Sequence, residues 1–184
     1  MSEQNRSERE KTLEVSLALP TDAEGIARVQ AETWIATYPN EEAGIHREDI
    51  ENLHFTGPEY VHNWQRSLET PKVDRQAWVV REEGVVIGYC VARKGGDVNR
   101  LQAIYVSPHH QGKGLGKKLM DVALVWLGNE KDVVLDVASY NLPSISFYEH
   151  LGFRKTGKDG LHVVPGGSLS IPQTEMRLNL VKHN

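Results

Sequence analysis

The stretch from Ile104 to Gly116 constrains this chain more than any other. It reads IYVSPHHQGKGLG, an apolar run entering a turn with Gly112, Gly114 and Gly116 at alternate positions. The residues that leave the turn place Leu115, Leu119, Ala123 and Trp126 on one face, the pattern of an amphipathic helix over about 114–127. Strand, glycine turn and helix start together make an anion site. Glycine lets main chain approach a phosphate closely, and the first amides of a helix point outward with a partial positive charge. Lys113, Lys117 and Lys118 add full charges nearby. Two common phosphate loops fail on spacing. A Walker A loop needs Ser or Thr after Gly-Lys, but Lys118 follows Gly116 and Lys117; a dinucleotide fingerprint needs G-x-G-x-x-G, and the order here is G-x-G-x-G.

Around this unit the chain alternates strands and helices. Leu13, Val15, Leu17 and Leu19 alternate with smaller or polar residues, which predicts a half-buried strand stopped by Pro20. Thr21 and Glu24 have capping-box spacing and open a helix carrying Ile26, Val29 and Thr33 to about residue 38. Short helices are expected over 47–53 and 58–68, the second with Pro58 at its first position. Trp34, Tyr38, Phe55, Tyr60 and Trp64 make this region rich in aromatics, which either pack helices onto a sheet or line a pocket for a substrate. A hairpin over 77–92 turns near Glu83 and Gly84, and a strand over 99–106 leads into the glycine turn. Residues 133–138 form an apolar run suited to a doubly buried strand, and a helix over 143–151 closes at Gly152. Strands over 153–156 and 175–180 finish the fold. The Gly- and Pro-rich segment between them, 157–173, reads as a long loop with a brief strand at 162–164. These elements define a mixed α/β class with one βαβα unit over 99–151.

Composition excludes several functions. With 184 residues and no repeat or linker, a polar tail over 1–11 followed by one domain over 12–184 is expected. A net charge of -4 argues against general nucleic-acid binding. Cys90 is the only cysteine, which excludes an intrachain disulfide, and its apolar setting suits a buried core residue. Met1 to Lys11 lacks the apolar centre of a signal peptide and no stretch has the length of a membrane span, so a cytoplasmic protein is expected. His109 and His110 are adjacent and diverge, and no H-x-x-x-H or H-E-x-x-H pattern occurs, so no metal site is expected.

The segment from Gln111 to Gly116 resembles the signature Q/R-x-x-G-x-G/A of the GNAT superfamily of N-acetyltransferases, preceded by the same hydrophobic strand and Val-x-Pro. A second block of that family, N-x-x-A/S-x-x-F-Y-x-x-x-G-F, is matched by Asn141, Ser144, Phe147, Tyr148, Gly152 and Phe153. The resemblance implies a central, mixed, largely antiparallel sheet of six to seven strands, flanked by helices and splayed where acetyl-CoA binds. It further implies that Gln111 and the amides of Gly112, Lys113, Gly114, Leu115, Gly116 and Lys117 hold the CoA pyrophosphate. Main chain of Ile104, Tyr105 and Val106 would pair with the pantetheine arm, and Asn141 and Ser144 would approach it from the other side. Tyr148 has helical spacing from Ser144 and Leu151, which alone describes a core aromatic. The resemblance instead gives it the role of the acid that protonates the departing thiolate.

One position departs from the family. Many members carry on the strand before the turn an acid that takes the amine's proton. Here Gln102 stands there, and a neutral amide is no base. Glu32, Asp49 and Asp136 are candidates from elsewhere, as is a chain of waters. The ending Thr174–Leu178 is similar to that of the polyamine-acetylating branch, so a small primary amine such as a polyamine is the first expectation for the acceptor. A protein N-terminus or lysine is the second, and a CoA-binding sensor without turnover is the third. Homodimers are frequent in the family, though no segment of the sequence marks an interface.

Overall fold

A computed structural model describes residues 13–164 and 169–180. The expected tail lies outside the described residues. Seven strands, β1 (Glu14–Leu17), β2 (Arg75–Glu82), β3 (Val85–Arg93), β4 (Asn99–Val106), β5 (Val133–Ala138), β6 (Arg154–Val163) and β7 (Ser170–Leu178), form one sheet in the order β1-β2-β3-β4-β5-β7-β6. Every neighbouring pair is antiparallel except β4–β5. Helices α1 (Ala23–Thr37), α2 (Arg47–Glu51) and α3 (Pro58–Glu69) lie between β1 and β2, α4 (Leu115–Leu127) between β4 and β5, and α5 (Leu142–His150) between β5 and β6.

Alternation along β4 sends its side chains to two cores. Leu101, Ile104 and Val106 pack with Leu115, Leu119 and Tyr148 beneath α4 and α5. Ala103 and Tyr105 pack with Ile26, Val29 and Tyr89 beneath α1. A third cluster of Trp34, Tyr38, Ile45, Ile50 and Phe55 joins α1 to α2 and to Ile171 on β7. Glu83 and Gly84 both have positive φ (51° and 83°) between the paired residues Glu82 and Val85. That is a two-residue turn whose twist matches the hairpin. Cys90 is fully buried, donates to Leu119 O at 3.4 Å, and has its thiol pushed up to about 12 by burial.

Three expectations are corrected. Leu13 and Val15 meet the core, but Leu17 and Leu19 are more than half exposed, because the strand ends at Leu17 and the chain leaves the sheet. The cap of the first helix is not Thr21 with Glu24. Pro20–Asp22 form a 3-10 turn, and Asp22 Oδ2 accepts the Leu19 N–H at 2.7 Å. Among its described residues the segment 157–173 is mostly strand rather than loop: β6 extends to Val163, taking in most of the expected brief strand at 162–164, and β7 starts at Ser170, with an irregular register between Lys155 and Asp159. As the edge of the sheet, β6 is exposed at nearly every position and carries no alternation to read.

Asp22 does more than cap. Its two oxygens receive Arg81 Nε at 3.0 Å and Nη2 at 2.5 Å, with Asp22 almost fully buried. Asp22→Ala strands the guanidinium and one backbone N–H, and is expected to cost about 2–4 kcal/mol of stability. Urea unfolding at constant m-value checks this.

Candidate active site

The parallel pair β4–β5 is joined only at Asn99–Val133 and Arg100–Val134. Beyond Arg100, β4 stays paired with β3 through Val106 while β5 turns to β7. The strands therefore part like a V. A bulge marks the place: Val91 faces Ala103 and Ala92 faces Leu101, so Gln102 is the extra residue on β4. Bulges increase local twist and re-aim side chains. From Leu101 to Val106 the β5-facing edge of β4 is thus open main chain, able to pair with an extended ligand.

Three clefts run through the gap. The first, of about 380 Å³, is lined by His110, Gly112, Gly114, Gly116, Lys117 and Phe147 among others. The second, of about 400 Å³, lies in the splay between Ile104, Val106, Val137, Asn141, Ser144 and Tyr148. Ile104, Val106, Gln111, Ser144 and Tyr148 belong to both. The third, of about 540 Å³, opens toward α1 and α3 and shares Tyr38, Gln102, Tyr105 and Asp136 with the second. The three clefts therefore adjoin one another from the glycine turn, through the splay, to the α1–α3 face.

Each end of the series has its own chemistry. At the turn, Gly112 and Gly114 have φ of 75° and 74°, the left-handed region where a side chain is strained. Gly114 caps α4, whose first helical bond is from Lys118 N–H to Gly114 O at 3.1 Å. The preceding amides therefore have no helical partner. Gly116 is small for a different reason: a Cβ there would lie 3.3 Å from Phe147 Cζ. Of the three lysines, only Lys117 lines the cleft, and it is bound to Asp121 Oδ2 at 2.7 Å. Lys113 and Lys118 do not line it. Gln111 Nε2 donates to Val106 O at 3.1 Å, fixing the turn to the strand and occupying one of the three carbonyls expected to meet the ligand.

In the splay, Asn141 caps α5 by accepting Ser144 N–H at 3.2 Å, which leaves its NH₂ group for the cleft. Tyr148 is buried, with its ring 5.3 Å from Phe147 and 5.8 Å from Phe153. Its hydroxyl has no hydrogen-bond partner among the described residues. Burial, and to a lesser degree Tyr105, raise the phenol above its ordinary range, so it stays protonated.

On the α1–α3 face the expected aromatics divide. Trp34, Tyr38, Tyr60 and Trp64 line the third cleft, whereas Phe55 only packs against Trp34 and Tyr60. The wall is held by phenols: Tyr60 and Tyr89 both donate to Gln30 Oε1, at 2.7 and 2.8 Å, and Tyr38 and Tyr105 hydroxyls are 3.4 Å apart. Burial raises all four phenols, keeping these hydroxyls protonated. The candidate bases also separate. Glu32 is bound to Arg28 and Ser107, and Asp49 accepts His46 N–H at the start of α2. Neither lines a cleft, but Asp136 does, paired with Arg100. Arg75 and Arg100 line the third cleft with no signal in the sequence to mark them, and His110 lines the first with its Nε2 3.3 Å from Glu82 Oε2. Among the described residues, no group of three or more His, Cys, Asp or Glu could hold a metal, and no helix is long and apolar enough to cross a membrane.

A seven-stranded sheet parted beside a glycine-capped helix, with adjoining clefts in the parting, places the chain in a defined class of α/β folds. It belongs to the acetyltransferase (GNAT) family, whose model matches residues 32–153. The chain is 32% identical over 100 residues to N-acetylaspartate synthetase of Xenopus tropicalis, covering 51% of this chain and 36% of that one. It is 34% identical over 110 residues to phosphinothricin N-acetyltransferase of Streptomyces viridochromogenes, covering 55% and 60%. The chain thus spans about a third of the length of the N-acetylaspartate synthetases it matches. The fold is shared with the PaiA N-acetyltransferase of Thermoplasma acidophilum, solved in complex with coenzyme A. The TM-score is 0.65 at 18% identity, over 91% of this chain and 99% of that one.

Proposed function

We propose that this protein is an acetyl-CoA-dependent N-acetyltransferase that passes the acetyl group directly to a primary amine. The observation that carries this reading is the series of adjoining clefts: free helix-start amides at one end, an open strand edge in the middle, and a separate chamber beyond. The pyrophosphate rests on the amides of Gly112, Lys113, Gly114, Leu115, Gly116 and Lys117. The pantetheine arm runs along Ile104 and Tyr105, opposite Asn141 and Ser144. That brings the thioester to Tyr148. The amine enters from the α1–α3 face and attacks the carbonyl carbon; as the C–S bond breaks, Tyr148 gives its proton to the sulfur. The surplus proton on nitrogen passes to water in the cleft beside Asp136.

A sensor without turnover has no use for a buried, protonated and unpaired phenol at this junction, so the catalytic reading stands first. A polyamine acceptor, suggested by the ending Thr174–Leu178, is poorly served. It would bring a polycation against Arg75 and Arg100, and Asp136 is already bound to Arg100. Mixing the protein with acetyl-CoA and a panel of amino acids, polyamines and peptides, with detection of released thiol, tests the reading. Buried Cys90 contributes no signal in the folded state. Thiol release that depends on an amine is expected. CoA binding with no release for any amine or peptide would return the sensor reading, and release with peptides alone would select a protein acceptor.

A further inference from the structure

Two arginines face the acceptor chamber, and they differ in how their charge is answered. Arg100 is paired with Asp136, and its Nη2 lies 4.0 Å from Glu175 Oε2. Arg75 has no carboxylate within ion-pair distance among the described residues. Its Nε donates to Gln102 Oε1 at 3.2 Å and its Nη1 to Ser67 Oγ at 2.7 Å, both neutral acceptors. The guanidinium lies over the Trp64 ring, 5.6 Å from its centroid. Nη2 makes no hydrogen bond to any described residue. Burial is the largest influence on Arg75 and lowers its pKa from the ordinary arginine value, a sign that the cation is partly stripped of water. The neighbouring Asp74 favours its charge but is itself bound to Arg93 at 3.0 Å, so a ligand carboxylate would find the partly buried Arg75 with no carboxylate in direct contact. Ser67 and Gln102 hold the planar group in one orientation, as bidentate carboxylate binding requires.

We infer that the acceptor is an amino acid whose carboxylate is held by Arg75 while its amine reaches into the splay. This rests on the acetyltransferase reading above. The path is short: Gln102, which orients Arg75, lines both the acceptor chamber and the splay. The neutral amide at the bulge acquires a purpose. A glutamate at 102 would neutralise Arg75, so a carboxylate-binding chamber here needs Gln in place of an acid.

The experiment uses the full chain with the twenty common amino acids, the carboxamide of whichever is acetylated fastest, and spermidine. Calorimetry with CoA runs alongside. An amino acid is expected to be the best acceptor, and its carboxamide to lose about 10- to 100-fold in kcat/KM, the range of a charge-assisted hydrogen-bonded pair. Arg75→Gln is expected to impose a similar loss, mainly in KM, on the acid but not on its carboxamide, with CoA affinity unchanged. Gln102→Glu is expected to raise KM for the acid despite adding a potential base. A merely structural Arg75 would weaken acid and carboxamide alike. The inference is overturned if the carboxamide serves as well as the acid, if spermidine is the better acceptor, if Gln102→Glu improves the acid's kcat/KM, or if no member of the panel is acetylated. In each case intact CoA binding with turnover of some other amine leaves the acetyltransferase reading standing. Loss of CoA binding removes both.

Discussion

Tyr148→Phe is expected to lower kcat by about 100- to 1000-fold while leaving CoA affinity and the thermal midpoint close to those of the native chain. The substitution is clean because the ring and the hydroxyl do separate jobs. The ring, carried on α5, packs against Phe147 and Phe153, and Phe keeps those contacts. The hydroxyl has no partner among the described residues, so its removal strands nothing. What the proposed role would lose is the proton of a hydroxyl that lines both the glycine-turn cleft and the splay. Burial keeps the phenol protonated, as the proposed acid must be before the thiolate leaves. A rate within threefold of the native value would remove Tyr148 from the chemistry and leave it a core aromatic.

Gly114→Val is expected to act on binding instead, raising the Kd for CoA by about 10- to 100-fold. A β-branched residue at φ 74° costs on the order of 1–3 kcal/mol, and the chain relieves that strain by turning the peptide groups that start α4. Those groups carry the amides proposed to hold the pyrophosphate. Space is not the issue, since nothing lies within 4 Å of a Cβ built at Gly114. The effect should therefore appear with Ala as well, in smaller measure. Calorimetry of each variant with CoA, alongside its thermal midpoint, separates lost anion geometry from lost stability. An unchanged Kd with Val in place would show that the amides before Lys118 do not carry the ligand.

The sequence made the local parts of this site legible and hid the parts assembled from afar. The glycine turn, the helix behind it and the cap at Asn141 are each contained in a few consecutive residues, so spacing suffices to place them. Gln102 was visible as an amide where relatives have an acid, but its bulge and its bond to Arg75 appear only once β2 and β4 share the sheet. Arg75 and Arg100 come from different strands, and nothing in their neighbours marks one as paired and the other as open. His110 sits inside the most readable stretch but is weighed there only as a metal ligand, because its partner Glu82 lies on a distant strand. The edge strand β6 is legible only at its ends, in the expected strands over 153–156 and 162–164, because it buries almost nothing between them and periodicity has little to report.

Comparing CoA with pantetheine by calorimetry tests the central claim most directly. Pantetheine keeps the arm that would lie along Ile104 and Tyr105 but lacks the diphosphate that the amides at the start of α4 are proposed to hold. CoA is expected to bind measurably and pantetheine at least 100-fold more weakly, a difference of about 2.7 kcal/mol. Equal affinities, or no heat from CoA at all, would contradict the assignment of the glycine turn as the pyrophosphate site.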